Sequence, residues 1–176
     1  MAITRSRDER EDAFDALFLA EWPKVVRIAQ RVLGEGSQAE DAAQEVFLAF
    51  YRRFEGALPE RPGPWLYAAA SHVALNALRA ERRRDRRERE HAQGAGSAPA
   101  DPARELLARE AAQELRTALA RLRPQSAQIL ALRYAGLRYQ EISETLGVPL
   151  DQVGTRLRRA EMALRKELAH ASSQGR

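Results

Sequence analysis

The sequence contains no cysteine. This absence excludes disulfide bonds and thiolate metal sites, and it fits a protein of a reducing compartment. The three histidines, His72, His91 and His170, are too scattered to predict a metal site. No apolar run approaches the length that spans a membrane, and the first ten residues lack the apolar stretch of a signal peptide. We therefore expect a cytoplasmic protein without membrane insertion that binds no metal or other cofactor.

Basic residues only slightly outnumber acidic residues. The chain has 29 Lys and Arg against 25 Asp and Glu, which gives a net charge of +4. Nearly all the basic residues are arginine, whose planar fork of donors suits phosphates and base edges. A high-GC genome, which favours arginine codons, explains the same bias equally well. Composition is thus compatible with nucleic-acid binding and does not establish it.

Regular alternation of apolar and polar residues is also absent, and the chain is rich in Ala, Leu, Arg and Glu, which favour helices. A charged segment followed by Gly, Ser, Ala and Pro between Gly94 and Pro99 interrupts the helical pattern. We predict an all-α protein with two small helical domains, residues 10–90 and 101–170, joined by a flexible linker, residues 91–100. The C-terminal domain is predicted to be a helix-turn-helix.

Four helices are predicted in the first half. The first is a short helix around Phe14, and the second begins at Pro23, because proline suits the first helical position. A capping box, 37–40, opens the third helix, which runs to about Phe54. The fourth begins near Trp65 after a proline-rich loop. Its predicted core stripe is Leu66, Ala69, Ala70, Val73 and Ala77.

The third helix has two faces. Its apolar residues recur at helical spacing and predict a core-facing side. The opposite side carries two carboxylates, an amide and a leucine, namely Asp41, Gln44, Glu45 and Leu48. This acidic stripe suits a basic partner surface, although an ordinary solvated helix face would have the same composition.

One side of the fourth helix combines aromatic, amide and basic residues: Trp65, His72, Asn76 and Arg79. Such a face suits stacking on unpaired bases and hydrogen bonding to their edges. The alternative is that Trp65 belongs to the core and His72 is an ordinary surface residue. The arginine-rich segment after this face suits phosphates, or it forms ion pairs within a solvated helix.

Residues 139–153 have the pattern of a helix-turn-helix, with Ile142 and Leu146 burying the first helix and Gly147 in the turn. The second helix has a predicted buried stripe, namely Leu150, Val153, Leu157, Ala160, Leu164 and Leu168. Its exposed side, together with the residue preceding the first helix, provides candidate DNA contacts: Arg138, Gln152, Thr155, Arg156, Arg158 and Arg159. The basic exposed face favours DNA binding over plain helix packing.

Taken together, these segments resemble the sigma-70 family, specifically its extracytoplasmic-function group. Residues 39–47, AEDAAQEVF, are similar to the family's region 2.2, and PWLY at 64–67 with ALNALR at 74–79 is similar to regions 2.3 and 2.4. Residues 132–134, 139–146 and 153–164 are similar to region 4. The motifs occur in the family's order and cover nearly the whole chain.

The resemblance implies a sigma factor that has no catalytic activity of its own and is a monomer when free. Its partners would be core RNA polymerase and promoter DNA, and members of this group are commonly held inactive by an anti-sigma factor. By the same resemblance, the acidic stripe would contact the clamp helices of the largest polymerase subunit. The loop 55–64 and the fourth helix would open and read the minus-ten element, and the last helix would read the minus-thirty-five element.

The chain departs from the family pattern at a few positions. Arg or Asn is common around 68, 71 and 72, where this chain has Ala68, Ser71 and His72, and Lys is common where it has Gly154. A different class of protein is also compatible with the helix-turn-helix, namely a stand-alone regulator whose N-terminal half is a sensor or dimerisation domain. The acidic stripe favours the sigma factor, because a sensor domain has no need of it.

Overall fold

A computed structural model describes residues 7–34, 36–55, 57–91 and 103–174. Across these ranges the chain forms helices and no strand, which confirms the all-α prediction. In chain order the helices are α1 (Arg7–Leu33), α2 (Ser37–Arg53), α3 (Pro62–His91), α4 (Ala103–Arg121), α5 (Pro124–Tyr134), α6 (Tyr139–Leu146) and α7 (Leu150–Gln174).

Helix α1 is a single helix, so the predicted break at Pro23 is wrong. Proline removes one backbone donor and crowds the preceding turn, and it usually interrupts a helix. Here the apolar stripe stays in helical register across Pro23. Phe18 and Trp22 precede the proline in the chain, and Val25 and Ile28 follow it. Because these side chains all pack into the same core, tertiary packing holds the helix together through the proline.

The start of α2 also differs from the prediction. Its N-cap is Gly36, and no side chain caps the helix, so the capping box predicted at 37–40 does not form. Gly36 has a φ of 130°, which an L side chain rarely adopts. One half of such a cap occurs at α6, where a carboxylate oxygen of Glu141 accepts the backbone N–H of Arg138 at 2.8 Å. Helix α3 begins at Pro62, three residues before the predicted start.

Aromatic rings hold α1, α2 and α3 together. Phe18 meets Phe47 edge-on with ring centroids 4.8 Å apart, and Phe50 meets Trp65 edge-on at 5.4 Å. The predicted core side of α2 is confirmed, because its apolar residues through Phe50 are buried. These contacts form a three-helix unit that leaves the other side of α2 exposed.

The helix-turn-helix has the predicted elements. Gly147 ends α6 in the left-handed conformation, with φ 62°. The hydroxyl of Ser143 donates to the backbone oxygen of Val148 at 2.6 Å, and the Val148 N–H donates to the Ser143 carbonyl at 3.1 Å. Ile142 and Val153 are fully buried beneath the turn, whereas Leu150, predicted as the start of the buried stripe, is 53% exposed.

Helix α3 is buried on two sides, which the sequence did not predict. Leu66 and Ala70 are buried as expected, but Ala77 is exposed. Ser71 and Leu75, outside the predicted stripe, are buried. The predicted stripe was too narrow because α3 contacts α4, α5 and α6 as well as α1 and α2.

The two halves pack against each other, and their buried side chains join in one apolar core. Helix α5 lies on α3 and α1, and α6 lies on α3. Of the predicted linker 91–100, residues 92–100 lie outside the described residues, so its flexibility stays a prediction.

We predict that Gly154→Ala stabilises the protein by up to about 1 kcal/mol, because glycine is the weaker helix former. An added Cβ would meet only the Cε2 atom of Tyr139, at an ordinary 3.6 Å. Gly147→Ala is the matched control and should destabilise by about 1 kcal/mol, because φ there is +62°. Urea unfolding of both variants measures the two effects. A destabilised Gly154→Ala protein would contradict the helix geometry described for α7.

Candidate polymerase and nucleic-acid interfaces

The acidic stripe of α2 lies on the surface. Asp41, Gln44, Glu45 and Leu48 are all exposed, while the neighbouring Ala42, Ala43, Val46 and Phe47 are buried. Leu48 is notable because a leucine is normally buried and this one is 56% exposed. The stripe therefore offers two carboxylates and an amide around an apolar side chain.

An apolar groove of about 410 Å³ adjoins the stripe. Phe14 and Phe18 of α1 and Phe47 and Tyr51 of α2 line it, and Gln44 and Leu48 belong to both the groove and the stripe. The guanidinium of Arg10 lies 4.6 Å from the centroid of the Tyr51 ring. A partner that contacts the stripe could therefore insert an apolar side chain beside it.

On α3, the predicted nucleic-acid face is divided. His72 and Asn76 are exposed, and the Nδ2 of Asn76 lies 2.9 Å from the Nε2 of His72. Trp65 is half-buried, and its ring packs edge-on against Phe50 and Phe54 at 5.4 and 5.8 Å. Its packing matches the alternative in which Trp65 is a core aromatic residue.

Arg79 points to the C-terminal half. Its Nε and Nη2 atoms donate to the backbone oxygens of Ala120 and Leu122, at 3.4 and 3.5 Å. The next turn of α3 repeats this contact, because Nη1 of Arg82 donates to the oxygen of Thr117 at 3.1 Å. In this arrangement Arg79 contacts the end of α4. Of the four residues predicted to face nucleic acid, His72 and Asn76 are the two whose side chains are exposed to solvent.

The predicted DNA-facing side of α7 is open along its length. Gln152, Thr155, Arg156, Arg158 and Arg159 are all exposed, and so is Arg138 before α6. Nη2 of Arg156 donates to Oε1 of Gln152 at 3.0 Å, which orients the Gln152 amide with its N–H₂ group free to donate. The exposed set thus combines an oriented amide with several guanidinium groups, the combination that reads base edges and binds phosphates.

The ring of Tyr139 lies between the helix-turn-helix and α5. The guanidinium of Arg133 lies 5.5 Å from its centroid, and Gly154 faces its Cε2 edge. Tyr139 is 42% exposed. Gly154 of α7, where the family pattern commonly has lysine, therefore lies against the edge of this ring.

A polar network that the sequence did not reveal links the two halves. The Tyr67 hydroxyl donates to Glu21 at 2.6 Å, Lys24 lies 4.7 Å from the centroid of the Tyr67 ring, and Lys24 pairs with Glu141 of α6. Burial, followed by the hydrogen bond and charge of Glu21, raises the pKa of Tyr67. The Tyr67 hydroxyl therefore stays protonated and acts as a donor at neutral pH.

Glu141 is the charged group of α6 in this network. Burial alone would raise its pKa, but hydrogen bonds from Lys24 and Arg138, with the charge of Lys24, outweigh that effect and lower the pKa. Glu141 is thus ionised at neutral pH. Periodicity could not reveal this pair, since Lys24 and Glu141 lie 117 positions apart in the chain.

Metal binding and membrane spanning are two further properties that the helices bear on. Within the described ranges, no three His, Cys, Asp or Glu side chains are grouped so that they could hold a metal ion. No helix in the same part of the chain is long and apolar enough to cross a membrane.

Comparison with known proteins supports the resemblance seen in the motifs. A profile described as Sigma-70 region 2 matches residues 17–84, and one described as Sigma-70, region 4 matches residues 112–164. In solved structures, the fold is similar to that of CnrH in complex with the cytosolic domain of CnrY. The TM-score is 0.52 at 21% identity, over 91% of this chain and 90% of that one.

Several curated relatives are similar over most of the chain. The ECF RNA polymerase sigma factor SigE of Mycolicibacterium smegmatis is 31% identical over 92% of this chain, which spans 64% of that relative. The RNA polymerase sigma factor YlaC of Bacillus subtilis is 28% identical, over 96% of this chain and 99% of the relative. The RNA polymerase sigma-H factor of Pseudomonas aeruginosa is 30% identical, over 89% and 86%.

The region 2 match covers the helices that bear the acidic stripe and the His72–Asn76 face, and the region 4 match covers the helix-turn-helix with its exposed basic side. Two regions in this order, together with relatives at this level of identity, show that the chain belongs to the sigma-70 family, in its extracytoplasmic-function group.

Proposed function

We propose that this protein is an alternative sigma factor, which binds core RNA polymerase and directs it to a particular set of promoters. The observation that carries the proposal is the presence, on one chain, of an exposed acidic stripe on α2 and an exposed basic side on α7. The two surfaces have opposite charge and lie in the two family regions. One chain can therefore contact a basic protein surface and DNA at the same time.

Core polymerase would bind to the stripe and its groove. Asp41 and Glu45 provide charge that speeds and orients the encounter, while Leu48 and the groove provide apolar surface. Apolar surface at the centre of an interface with charge at its rim is the usual arrangement in protein complexes. This combination explains why Leu48 is exposed on a helix whose other large apolar residues are buried.

Promoter DNA would meet two surfaces. The N-terminal part of α7, with Gln152 and Thr155, would read base edges of the minus-thirty-five element, and Arg158 and Arg159 would contact phosphates. On α3, His72 and Asn76 would meet unpaired bases of the minus-ten element. Trp65 supports this surface from below through its contacts with Phe50 and Phe54.

The protein would take no part in bond chemistry, and RNA synthesis would be carried out by the polymerase. The region 2 match over the N-terminal half also argues against a stand-alone regulator with a sensor or dimerisation domain.

Asp41→Arg with Glu45→Arg should weaken binding to core polymerase by at least about tenfold, or about 1.4 kcal/mol, because the charge of the stripe is reversed. Both residues are exposed, so the fold should be unchanged. The matched control is Glu110→Arg with Glu114→Arg, an exposed acidic pair of the same spacing on α4. Competition binding to core enzyme and circular dichroism measure affinity and folding. A folded Asp41/Glu45 variant with wild-type affinity would contradict the assignment.

Two substitutions on α7 should have different effects. Arg159→Ala should weaken binding to many promoters alike and reduce the slope of log K against log salt by about 0.9, the value for one lost phosphate contact. Gln152→Ala should change the preferred upstream sequence, at a cost on the order of 1–3 kcal/mol at one base pair. Each holoenzyme would select its preferred sequences from a randomised upstream element, and the selection would be repeated at several salt concentrations. The selected sequences report base preference, and the salt dependence reports phosphate contacts. An unchanged preference with Gln152→Ala would remove that residue from base readout.

A further inference from the structure

The side of α7 that faces away from its buried stripe carries a carboxylate in line with its cations. At about 100° per residue, the exposed residues along the middle of this side are Asp151, Thr155, Arg158 and Met162. Asp151 lies in the first turn of α7, and the first turns of a recognition helix are the part that reaches base edges. The Asp151 carboxylate therefore points to the same groove as Gln152 and Thr155, although Asp151 was not among the predicted DNA contacts.

This carboxylate has no partner within the protein. Among the described residues, none forms a hydrogen bond or an ion pair with Asp151. A lysine at position 154, common in the family pattern, would lie three positions further along the helix, where an acid and a base can pair. Gly154 offers no such side chain. The acceptor capacity of Asp151 is thus available to a ligand.

A carboxylate on this side opposes DNA binding unless a donor meets it. Duplex DNA carries a negative charge about every 1.7 Å along its axis, so an unpaired acid facing the groove is repelled. The positive end of the helix dipole also favours an acid in the first turn, which would stabilise α7. That stabilisation is independent of the bases that the helix meets, so the two roles of Asp151 can be separated by experiment.

The edges of the bases determine which donor suits this carboxylate. In the major groove, the amino groups of cytosine and adenine are the donors that the bases offer. Adenine has the acceptor N7 beside its amino group, and this atom repels a carboxylate. Cytosine has a C–H group there and no second acceptor in the groove, so cytosine is the base that suits Asp151 best.

The neighbouring side chains leave few other acceptors on this part of α7. Nη2 of Arg156 donates to Oε1 of Gln152 at 3.0 Å, so the amide presents mainly its N–H₂ group to the groove. Arg158 and Arg159 are donors only. These side chains suit the acceptors of guanine and thymine, and the carboxylate of Asp151 supplies the complementary function for an amino group.

We propose that Asp151 is a specificity-determining residue for the upstream promoter element, and that its carboxylate accepts a hydrogen bond from the amino group of a cytosine in the major groove. The inference rests on the proposed function, because it requires α7 to be the helix that reads the minus-thirty-five element. Guanine or thymine at the same position would place an acceptor against the carboxylate. The element should therefore contain a cytosine, on one of its strands, at the base pair that Asp151 contacts.

The first test is selection from a duplex randomised across the upstream element, with holoenzyme assembled from core polymerase and each variant. The wild type should prefer cytosine at one position by about tenfold or more. Asp151→Asn should change that preference to adenine, because an amide can accept from N6 and donate to N7. Glu110→Gln, at an exposed position on α4, removes the same charge and is the matched control, which should select the wild-type sequence.

Asp151→Ala should lose the preference at this position altogether. It should also bind sequences without the cytosine more tightly than the wild type does, because a charge that repels phosphates is removed. A modified base tests the contact without any change to the protein. The cytosine analogue zebularine, which lacks the amino group, should weaken wild-type binding by about tenfold or more when it replaces the selected cytosine, and should not affect Asp151→Ala.

Two results would overturn the inference. An unchanged base preference in both Asp151 variants, with a lower Tm by circular dichroism, would leave the carboxylate a helix-stabilising role only. Equal binding of the wild type to cytosine and to zebularine would exclude the amino contact even if the variants failed to fold. A wild-type holoenzyme that enriches no upstream sequence would contradict the proposed promoter reading as a whole. An enriched element whose preferences change with Gln152→Ala but not with Asp151→Asn would contradict the Asp151 assignment alone.

Discussion

Both halves of the molecule pack on helix α3, which is therefore covered on two sides: α1 and α2 contact it, and so do α4, α5 and α6. Leu66, Ala70 and Ala74 are buried with the aromatic residues of α1 and α2, and Ser71 receives the C-terminal half. A helix covered on two sides has only a narrow strip left for solvent, and His72 and Asn76 lie on it. The position of the candidate base-contacting face thus follows from the packing of α3.

The elements that the sequence predicted well are those whose signal is local. The two sides of α2 follow from a single amphipathic helix, and the helix-turn-helix follows from a glycine that tolerates positive φ between two apolar stripes. Both are fixed by residues within a few turns of each other. The acidic stripe and the DNA-facing side of α7 could therefore be named, and the structure places all of these residues on the surface.

The predictions that failed depended on distant parts of the chain. Pro23 looked like a helix start because its local preference is strong, and only the packing of Trp22 and Val25 into one core keeps α1 continuous. The helical period places Ala77 in the core and leaves Ser71 out of it, because no local pattern indicates that α5 covers α3. The departure from the family pattern at Ser71 was visible, but its consequence required the position of Gln128, 57 residues away.

Arginine illustrates why composition alone could not assign function. Arg82 contacts a backbone carbonyl of α4, Arg133 covers an aromatic ring, and Arg156 orients an amide, so the same guanidinium group serves folding, packing and the candidate DNA surface. The charge excess of the chain is therefore a poor guide to how many arginines are available to DNA. The exposed set on α7 is informative because its members share one side of one helix.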